Sequence, residues 1–506
     1  MSNYKTVIII GAGISGLSAG VYAEQHGFHA ILLEKNPSVG GMCTGWYRKG
    51  FYVDGCVHWL TGTKEGTLLN EMWQNIGAFK QEDILHLPSW GTFEYNGQKI
   101  TFWRDLDRAQ KEWIEVSPVD EKMIKKFFKM VRDFSTVELP LDLPLSMIPL
   151  HRKIKLGLKV LNVWPSYLKT MFQTRAKFAS KFKSPVIRKA LVDVQTGGGN
   201  LFSMIYSYST VVIGDGGIPI GASKPMVERM KEKFLSLGGT LKLNANVDTI
   251  LIKDKIATGV KLSNGQIIHG DYVVSCLDTN YTLKKLLRDQ YPFPSFEKRF
   301  KDPIRNPSPS CILINYAAKK DNNLPTPYTF DCEPFEVNGT IIDHIGVRSY
   351  AYDETFTRGD RTVLSVLIDQ STADYPFYRE LAKDKEKYKE FKNWIAEVVK
   401  NRIIAKLPEL KDSIELLDVA TPYTFNRYVN TSNGVFMSFF FTHKDPMFSH
   451  HGQLKGLKNF YLSGQWMQGP GGLPIAMTQG KFAIQRICKR ENLSYIFSPI
   501  PRRKKA

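Results

Sequence analysis

The tightest constraint on the chain lies at its start. Val7 to Ile10 is a β-branched run suited to a parallel strand buried on both faces. It runs straight into Gly11-Ala12-Gly13-Ile14-Ser15-Gly16. Apolar residues then recur at helical spacing (Ile14, Leu17, Val21) to Gln25, Gly27 marks the helix end, and His29–Leu33 reads as a second strand. A GxGxxG is weak alone, but here it sits inside a βαβ unit. Gly11 permits the tight turn, Gly13 lets backbone approach a pyrophosphate, and Gly16 lets helix and strand pack closely. The helix N-terminus offers unpaired N–H groups and partial positive charge to a phosphate. Glu34 follows about 20 residues on, where an acid accepts hydrogen bonds from ribose hydroxyls and disfavours a 2′-phosphate. This pattern predicts a dinucleotide site built from residues 11–16 and Glu34.

The rest of the chain changes character several times. Residues 40–105 are rich in Gly, Trp and Phe and predict short strands. From 108 to 210 the patterns are helical, with Ser117-Pro118 as an N-cap and N1 pair predicting a helix over 118–134. After 226 come a helix to Leu237, Gly238-Gly239 and strands to Ser275, with a hairpin at Asn264-Gly265. Residues 305–440 predict an antiparallel sheet and a charged helix over 382–406. Residues 456–487 predict strand, Gly/Pro-rich loop and helix. At 506 residues there is room for two or three domains. Six scattered cysteines without CxxC argue against a disulfide framework or zinc module and fit a reducing compartment. No metal-ligand spacing is present. No signal peptide and no run of 18 apolar residues is found, which predicts neither secretion nor a transmembrane helix.

Further glycine segments narrow the reading. Val39-Gly40-Gly41-Met42 follows Glu34, and Gly50-Phe51-Tyr52-Val53-Asp54-Gly55 leads to His58-Trp59-Leu60. Near the end stand Asn459-Phe460-Tyr461-Leu462-Ser463-Gly464-Gln465-Trp466 and Gly469-Pro470-Gly471-Gly472-Leu473-Pro474. With these residues the chain resembles the FAD-dependent carotenoid desaturase, carotenoid isomerase and retinol saturase family of amine-oxidase-like flavoproteins. The likeness covers most of the chain, with anchors at 7–62, 213–278 and 456–487. Met42 stands where monoamine-oxidase-like enzymes have arginine, and Gln465 where many relatives have an acid. The resemblance implies an α/β chain with an α+β substrate domain. A Rossmann-like FAD-binding domain of the glutathione-reductase/amine-oxidase type would comprise 1–75, 213–290 and 445–490. An antiparallel-sheet substrate domain would comprise 76–107 and 291–444, with a helical insert at 108–212 and a basic tail at 491–506.

The same resemblance implies non-covalent FAD on Gly11, Ala12, Gly13, Ile14, Ser15, Gly16, Glu34, Lys35, Gly40, Gly41, Met42, Val247, Gly464, Gln465, Gly471, Gly472, Leu473 and Pro474. Gln465 would hydrogen-bond ribitol, or phosphate through water. His58 would lie beside the flavin as the candidate catalytic residue, with Trp59, Trp466 and Tyr423 lining the substrate path. The bland alternatives are a structural histidine, core aromatics, and a Pro-bounded strand start at Ala420–Tyr428. The implied activity is that of an FAD-dependent oxidoreductase, phytoene desaturase-like. It would act on carbon–carbon double bonds of an apolar polyene or isoprenoid by hydride transfer at flavin N5, in desaturation, saturation or isomerisation. With one fingerprint only, NAD(P) would visit transiently, or a quinone would be the electron partner. An amine oxidase or protoporphyrinogen-oxidase-like enzyme, or a prenyl-binding protein of the GDP dissociation inhibitor type, shares the architecture.

Charge adds a partner. The formal net charge is +19. Residues 143–192 hold eleven Lys or Arg (152, 153, 155, 159, 169, 175, 177, 181, 183, 188, 189) and no Asp or Glu. Leu156, Leu158, Leu161, Trp164, Tyr167, Leu168, Met171, Phe172, Phe178 and Phe182 are interleaved with them. This mixture predicts an interfacial helix pair, broken near Pro165, on an anionic membrane surface. A solvated basic face packed on the substrate domain is the alternative. No nucleic-acid-binding pattern accompanies the charge. The expected location is cytoplasmic, or peripheral on the inner face of the membrane. Oligomeric state has no signature in the sequence.

Overall fold

A computed structural model describes residues 4–137, 141–160, 164–195, 199–440, 442 and 448–495. Strand β1 (Thr6–Ile10), helix α1 (Ile14–Gln25) and strand β2 (His29–Leu33) form the predicted βαβ unit. They belong to a five-stranded sheet in the order Thr240–Lys242, β2, β1, Tyr272–Ser275, Phe460–Leu462, with every pairing parallel. Its strands thus come from the start, middle and end of the chain. Val7, Ile8 and Ile9 are fully buried, as a two-sided parallel strand requires. Helix α1 is buried from Ile14 to Ala23 on every side, because the C-terminal helix Leu473–Arg490 and the helix Ser223–Ser236 pack against it. The contact with the C-terminal helix is glycine-dependent: a Cβ on Gly480 would stand 2.3 Å from the Ser15 carbonyl oxygen.

The second sheet has eight strands. Along its main path they run Glu415–Ala420, Pro309–Lys319, Arg361–Ser371, Thr340–Ser349, Tyr328–Val337, Ser89–Tyr95, Gln98–Trp103, with Thr357–Arg358 beside Arg361–Ser371. It is antiparallel as expected except where Tyr328–Val337 meets Ser89–Tyr95 in parallel. That pair joins distant parts of the chain, so no tight hairpin dictates its direction. The helix Lys385–Lys406 covers one face with Ile395, Ala396, Val399 and Ile403. The segment after Ala420 is not a strand start. Strand Glu415–Ala420 ends there, and Pro422 at the first turn opens the helix Pro422–Val429.

The helical insert forms over an aromatic core. Trp113 stacks on Phe127 at 5.3 Å and meets Phe102 edge-on at 4.9 Å. Its second helix departs from expectation: Pro118–Asp120 is a 3₁₀ turn and the α-helix is Glu121–Phe134. Ser117 does not cap it. Its Oγ donates to the Asp120 carboxylate at 2.9 Å, and that carboxylate also accepts the Lys183 and Ser184 amides. Asp120 is therefore turned inward to tie the insert together.

The basic stretch divides in two. Leu150, Ile154, Leu158, Trp164, Leu168 and Phe172 are exposed on or beside the helices Leu150–Val160 and Trp164–Met171. Met171, Phe178 and Phe182 are buried instead, as is Arg175 at 3% exposure. Lys189 pairs with Asp343 at 2.8 Å. Leu161 and the basic end 501–506 lie outside the described residues.

Two glycines test this packing. Gly480→Val should destabilise by at least the ~1–3 kcal/mol typical of overpacking, read as a lowered thermal midpoint. Gly157→Ala meets nothing within 4 Å in the helix Leu150–Val160 and should stabilise by about 0.4–1 kcal/mol.

Candidate functional site

The carboxyl ends of the parallel strands open into a cavity of about 950 Å³. It runs on between the second sheet and the insert. One end is built by the fingerprint turn. Glu34 is buried at the end of β2, its Oε2 accepting the Ala12 amide and its Oε1 the Asn36 amide, both at 2.9 Å. Each oxygen keeps a second lone pair for a hydroxyl. The Glu34 carbonyl also accepts the Ala245 amide at 2.8 Å, which brings Val247 to the cavity wall.

Gly13 faces the double glycine. The Gly40 amide donates to the Ala12 carbonyl at 2.8 Å. A Cβ on Gly13 would lie 3.6 Å from the Gly40 oxygen and 4.0 Å from the Gly41 Cα. Any larger side chain fills this cradle. Backbone N–H groups of the first turn of α1 have no intrahelical acceptor and point the same way. Gly11, Gly13, Ile14, Ser15, Gly40, Gly41 and Met42 all line the cavity. Ser15 Oγ lies 2.8 Å from Ser463 Oγ, joining this turn to the C-terminal loop. Ala12 is buried behind the turn. Gly16 is buried too, and a Cβ there would stand 1.9 Å from the Gly11 oxygen. Lys35 lines the cavity but gives its Nζ to Asn430 Oδ1 at 2.8 Å.

The C-terminal loop closes the middle of the cavity. Gly464, Gly471, Gly472, Leu473 and Pro474 line it, and the C-terminal helix starts there. Gln465 lines the cavity too, and its amide also ties the loop together. Its Nε2 donates to the Phe436 carbonyl at 3.2 Å and its Oε1 accepts the Gly472 amide at 3.1 Å. An ionised acid could not donate to Phe436, so the neutral amide is what braces this loop.

His58 lines the cavity, and the Arg348 guanidinium donates to its carbonyl at 3.4 Å. Burial, aided by the Arg348 charge, pulls the His58 imidazole down to about 3. It is neutral at ordinary pH and stores no proton as an imidazolium; what it offers is a hydrogen bond. Trp59 lines the cavity edge-on to Trp90 at 5.8 Å. Trp466 touches the cavity but packs mainly in a core cluster with Phe439 and Phe296 at 5.0 and 5.5 Å. Tyr423 does not reach the lining. It packs edge-on to Tyr388 at 5.9 Å beside the sheet core, and Phe425, on the opposite side of its short helix, lines the cavity instead.

Two residues carry more than their sequence showed. Asp54 is buried and accepts the Cys56, Val57 and Ser223 amides at 2.8–2.9 Å. It fixes the turn that presents His58. The Asp54-Gly55-x-x-His58 spacing was the available signal. Arg348 had none, since an arginine on an alternating strand reads as a surface residue.

The NAD(P)-binding Rossmann-like domain family matches residues 9–76. Prolycopene isomerase 1 of an Oncidium hybrid cultivar is 26% identical over 458 residues, covering 85% of this chain and 74% of that protein. The 4,4'-diapophytoene desaturase of Methylomonas sp is 21% identical over 545 residues, covering 98% and 97%. The chain is thus similar to carotenoid desaturases and isomerases over most of its length. It is an FAD-dependent oxidoreductase with an α/β dinucleotide-binding fold. A solved oxidoreductase from Methanosarcina mazei shares that fold, with a TM-score of 0.56 at 15% identity over 95% of this chain and all of that one. The Glu34 carboxylate, the Gly13–Gly41 cradle and the loop at Gly471 fit a dinucleotide of this family.

Removing the Glu34 carboxylate deletes charge-assisted hydrogen bonds worth about 1.5–3 kcal/mol. Glu34→Ala should retain at least tenfold less flavin, read by flavin absorbance after dialysis and by loss of the FAD-dependent rise in thermal midpoint. Gly13→Val, whose backbone φ of −76° accepts any residue, should yield folded apoprotein. Stoichiometric flavin in either variant overturns the assignment.

Proposed function

We propose that the protein desaturates, saturates or isomerises carbon–carbon double bonds of a long apolar polyene or isoprenoid. One observation carries this: a single cavity continues from the dinucleotide turn into a channel walled by Trp59, Trp90, Phe93, Leu313, Leu367 and Phe436. A small amine needs no such length. The names of the relatives, a prolycopene isomerase and a diapophytoene desaturase, support the same class. FAD, held without a covalent bond by the residues above, would supply a two-electron acceptor or donor. The chain's own residues hold the polyene by apolar contact, exclude water, and offer a neutral His58 for hydrogen bonding. Residues 1–75, 213–290 and 445–490 would be the FAD domain, 76–107 and 291–444 the substrate domain, 108–212 the insert and 491–506 the tail. NAD(P) visiting transiently, or a quinone, would exchange electrons with the flavin.

The test is anaerobic photoreduction of the purified protein, then addition of polyenes of differing length and saturation. Anaerobic reoxidation of the reduced flavin by a long polyene (saturation), or reduction of the oxidised flavin by one (desaturation), with no reduction of the oxidised flavin by small amines, is the expected result. Flavin reduction by amines, with no redox change or isomerisation of any polyene, overturns the reading.

The exposed apolar residues of Leu150–Val160 and Trp164–Met171, flanked by exposed Lys153, Lys155, Lys169 and Lys177, support peripheral docking on an anionic leaflet from which such a substrate is drawn. Among the described residues no helix is long and apolar enough to cross a membrane. The cysteines, all free among those residues, fit a cytoplasmic or inner-face location. Each basic residue near the lipid contributes about 1 kcal/mol. Changing those four lysines to Gln should release the protein from anionic liposomes at low salt with flavin content unchanged. Equal co-sedimentation of variant and wild type sinks this docking face.

A further inference from the structure

Two thiols meet at the edge of the glycine cradle. The strands Gly45–Arg48 and Phe51–Asp54 form a hairpin around Lys49-Gly50, with Arg48 opposite Phe51 and Gly45 opposite Asp54. Carried two residues further, that register sets Thr44 opposite Gly55 and Cys43 opposite Cys56. The Gly55 amide donates to the Thr44 carbonyl at 2.9 Å, so these two form a hydrogen-bonded pair. The next pair is of the other kind, whose Cα atoms stand about 4.5 Å apart with their side chains closest. The backbone agrees. The Cys43 amide donates to the Gly40 carbonyl at 3.0 Å and the Cys56 amide to Asp54 at 2.9 Å, neither to the facing segment. The two side chains are in hydrogen-bond contact. A Cα separation of about 4.5 Å lies within the ~4.4–6.8 Å that a disulfide spans. The bond can therefore close without rearranging the backbone.

The place of the pair gives it a use. Both cysteines line the cavity, Cys43 buried and Cys56 half-buried. Cys43 follows the Gly40-Gly41 limb that faces Gly13. Cys56 belongs to the turn that Asp54 holds and that presents His58. The contact with Cys56, together with burial, pushes the Cys43 thiol up. Cys56 is thus the sulfur that meets a reagent first, and Cys43 the one that resolves.

We propose that Cys43 and Cys56 are a reversible dithiol–disulfide site, oxidised by small disulfides, that latches the dinucleotide cradle. The Cys56 thiolate attacks a small disulfide RSSR, forming a mixed disulfide and releasing one RS⁻. Cys43 then attacks the Cys56 sulfur, loses its proton and releases the second RS⁻. Two protein thiols lose two electrons, one RSSR gains them, and both protons end on the two RSH formed. The product ties the Gly40-Gly41 limb to the His58 turn. Closing a loop of roughly 15 residues removes chain entropy from its open forms, so the openings that let a dinucleotide leave become rarer. The latch rests on the FAD reading of the cradle; the disulfide does not.

The test equilibrates the purified full chain, with and without FAD, in anaerobic mixtures of oxidised and reduced glutathione, followed by acid quenching, unfolding and alkylation. Mass spectrometry should find a disulfide joining the peptides of Cys43 and Cys56, reversed by dithiothreitol. Cys276 and Cys311, which also line the cavity, should be alkylated, as should Cys332 and Cys488. The oxidised holoprotein should release FAD at least about tenfold more slowly than the reduced one, read by flavin fluorescence on dilution. Cys43→Ser should leave Cys56 carrying glutathione and remove the difference in release rate. Cys56→Ser, at a half-buried position, should also remove both and keeps the test valid if Cys43→Ser does not fold. No disulfide between these two residues, or oxidation spread evenly over all six thiols, overturns the site. A disulfide that forms without slowing FAD release overturns the latch. A chain that forms it but holds no FAD in either state overturns the flavin reading and the latch together.

Discussion

A buried carboxylate must be satisfied, and the way Glu34 is satisfied shapes one half of this molecule. Its two oxygens hold the Ala12 and Asn36 amides, and its backbone bonds to Lys242 and Ala245. Three segments distant in sequence are thereby fixed around one side chain: the fingerprint turn, the exit of β2, and the stretch that carries Val247. The low dielectric around the group makes each of these bonds strong and its loss costly. The glycine cradle at Gly13 and Gly40 is a consequence, because the Ala12 peptide that Glu34 holds is the one whose carbonyl accepts Gly40.

The other half depends on polar groups placed against an apolar channel. Asp54 gathers three amides to shape the turn at His58, and Gln465 uses both ends of a neutral amide to join the Phe436 segment to Gly472. Neither needs to touch a substrate to matter. Each spans two segments that would otherwise drift independently, so the cavity walls are positioned to the tolerance that redox chemistry requires. The imidazole of His58, kept neutral by burial, can sit in such a channel without bringing a charge into it.

Much of this was legible in the residues. The βαβ unit, the double glycine and the C-terminal glycine loop announce themselves through turn chemistry that few other residues permit, and all three line one cavity. The hairpin at Asn264-Gly265 and the charged helix were visible for similarly local reasons. What could not be read was set by partners remote in sequence. Ser117 looks like a cap, but Asp120 is drawn inward by the Lys183 and Ser184 amides and takes the serine with it. Tyr423 and Phe425 lie two apart on a short helix, and only the sheet beneath decides which reaches the cavity. Arg175 looked like one more cation in a basic stretch until the fold buried it.

The contact between Gly480 and the Ser15 carbonyl also bears on biosynthesis. The strand-turn-helix at residues 6–25 leaves the ribosome long before the helix Leu473–Arg490 that covers α1, which is buried on every side in the folded chain. Until that helix is made, the nascent chain displays an uncovered helix beside a half-built phosphate cradle. Cofactor loading has to wait for the C-terminal helix, so the interval between first and last strand is one of exposure to aggregation and to chaperones.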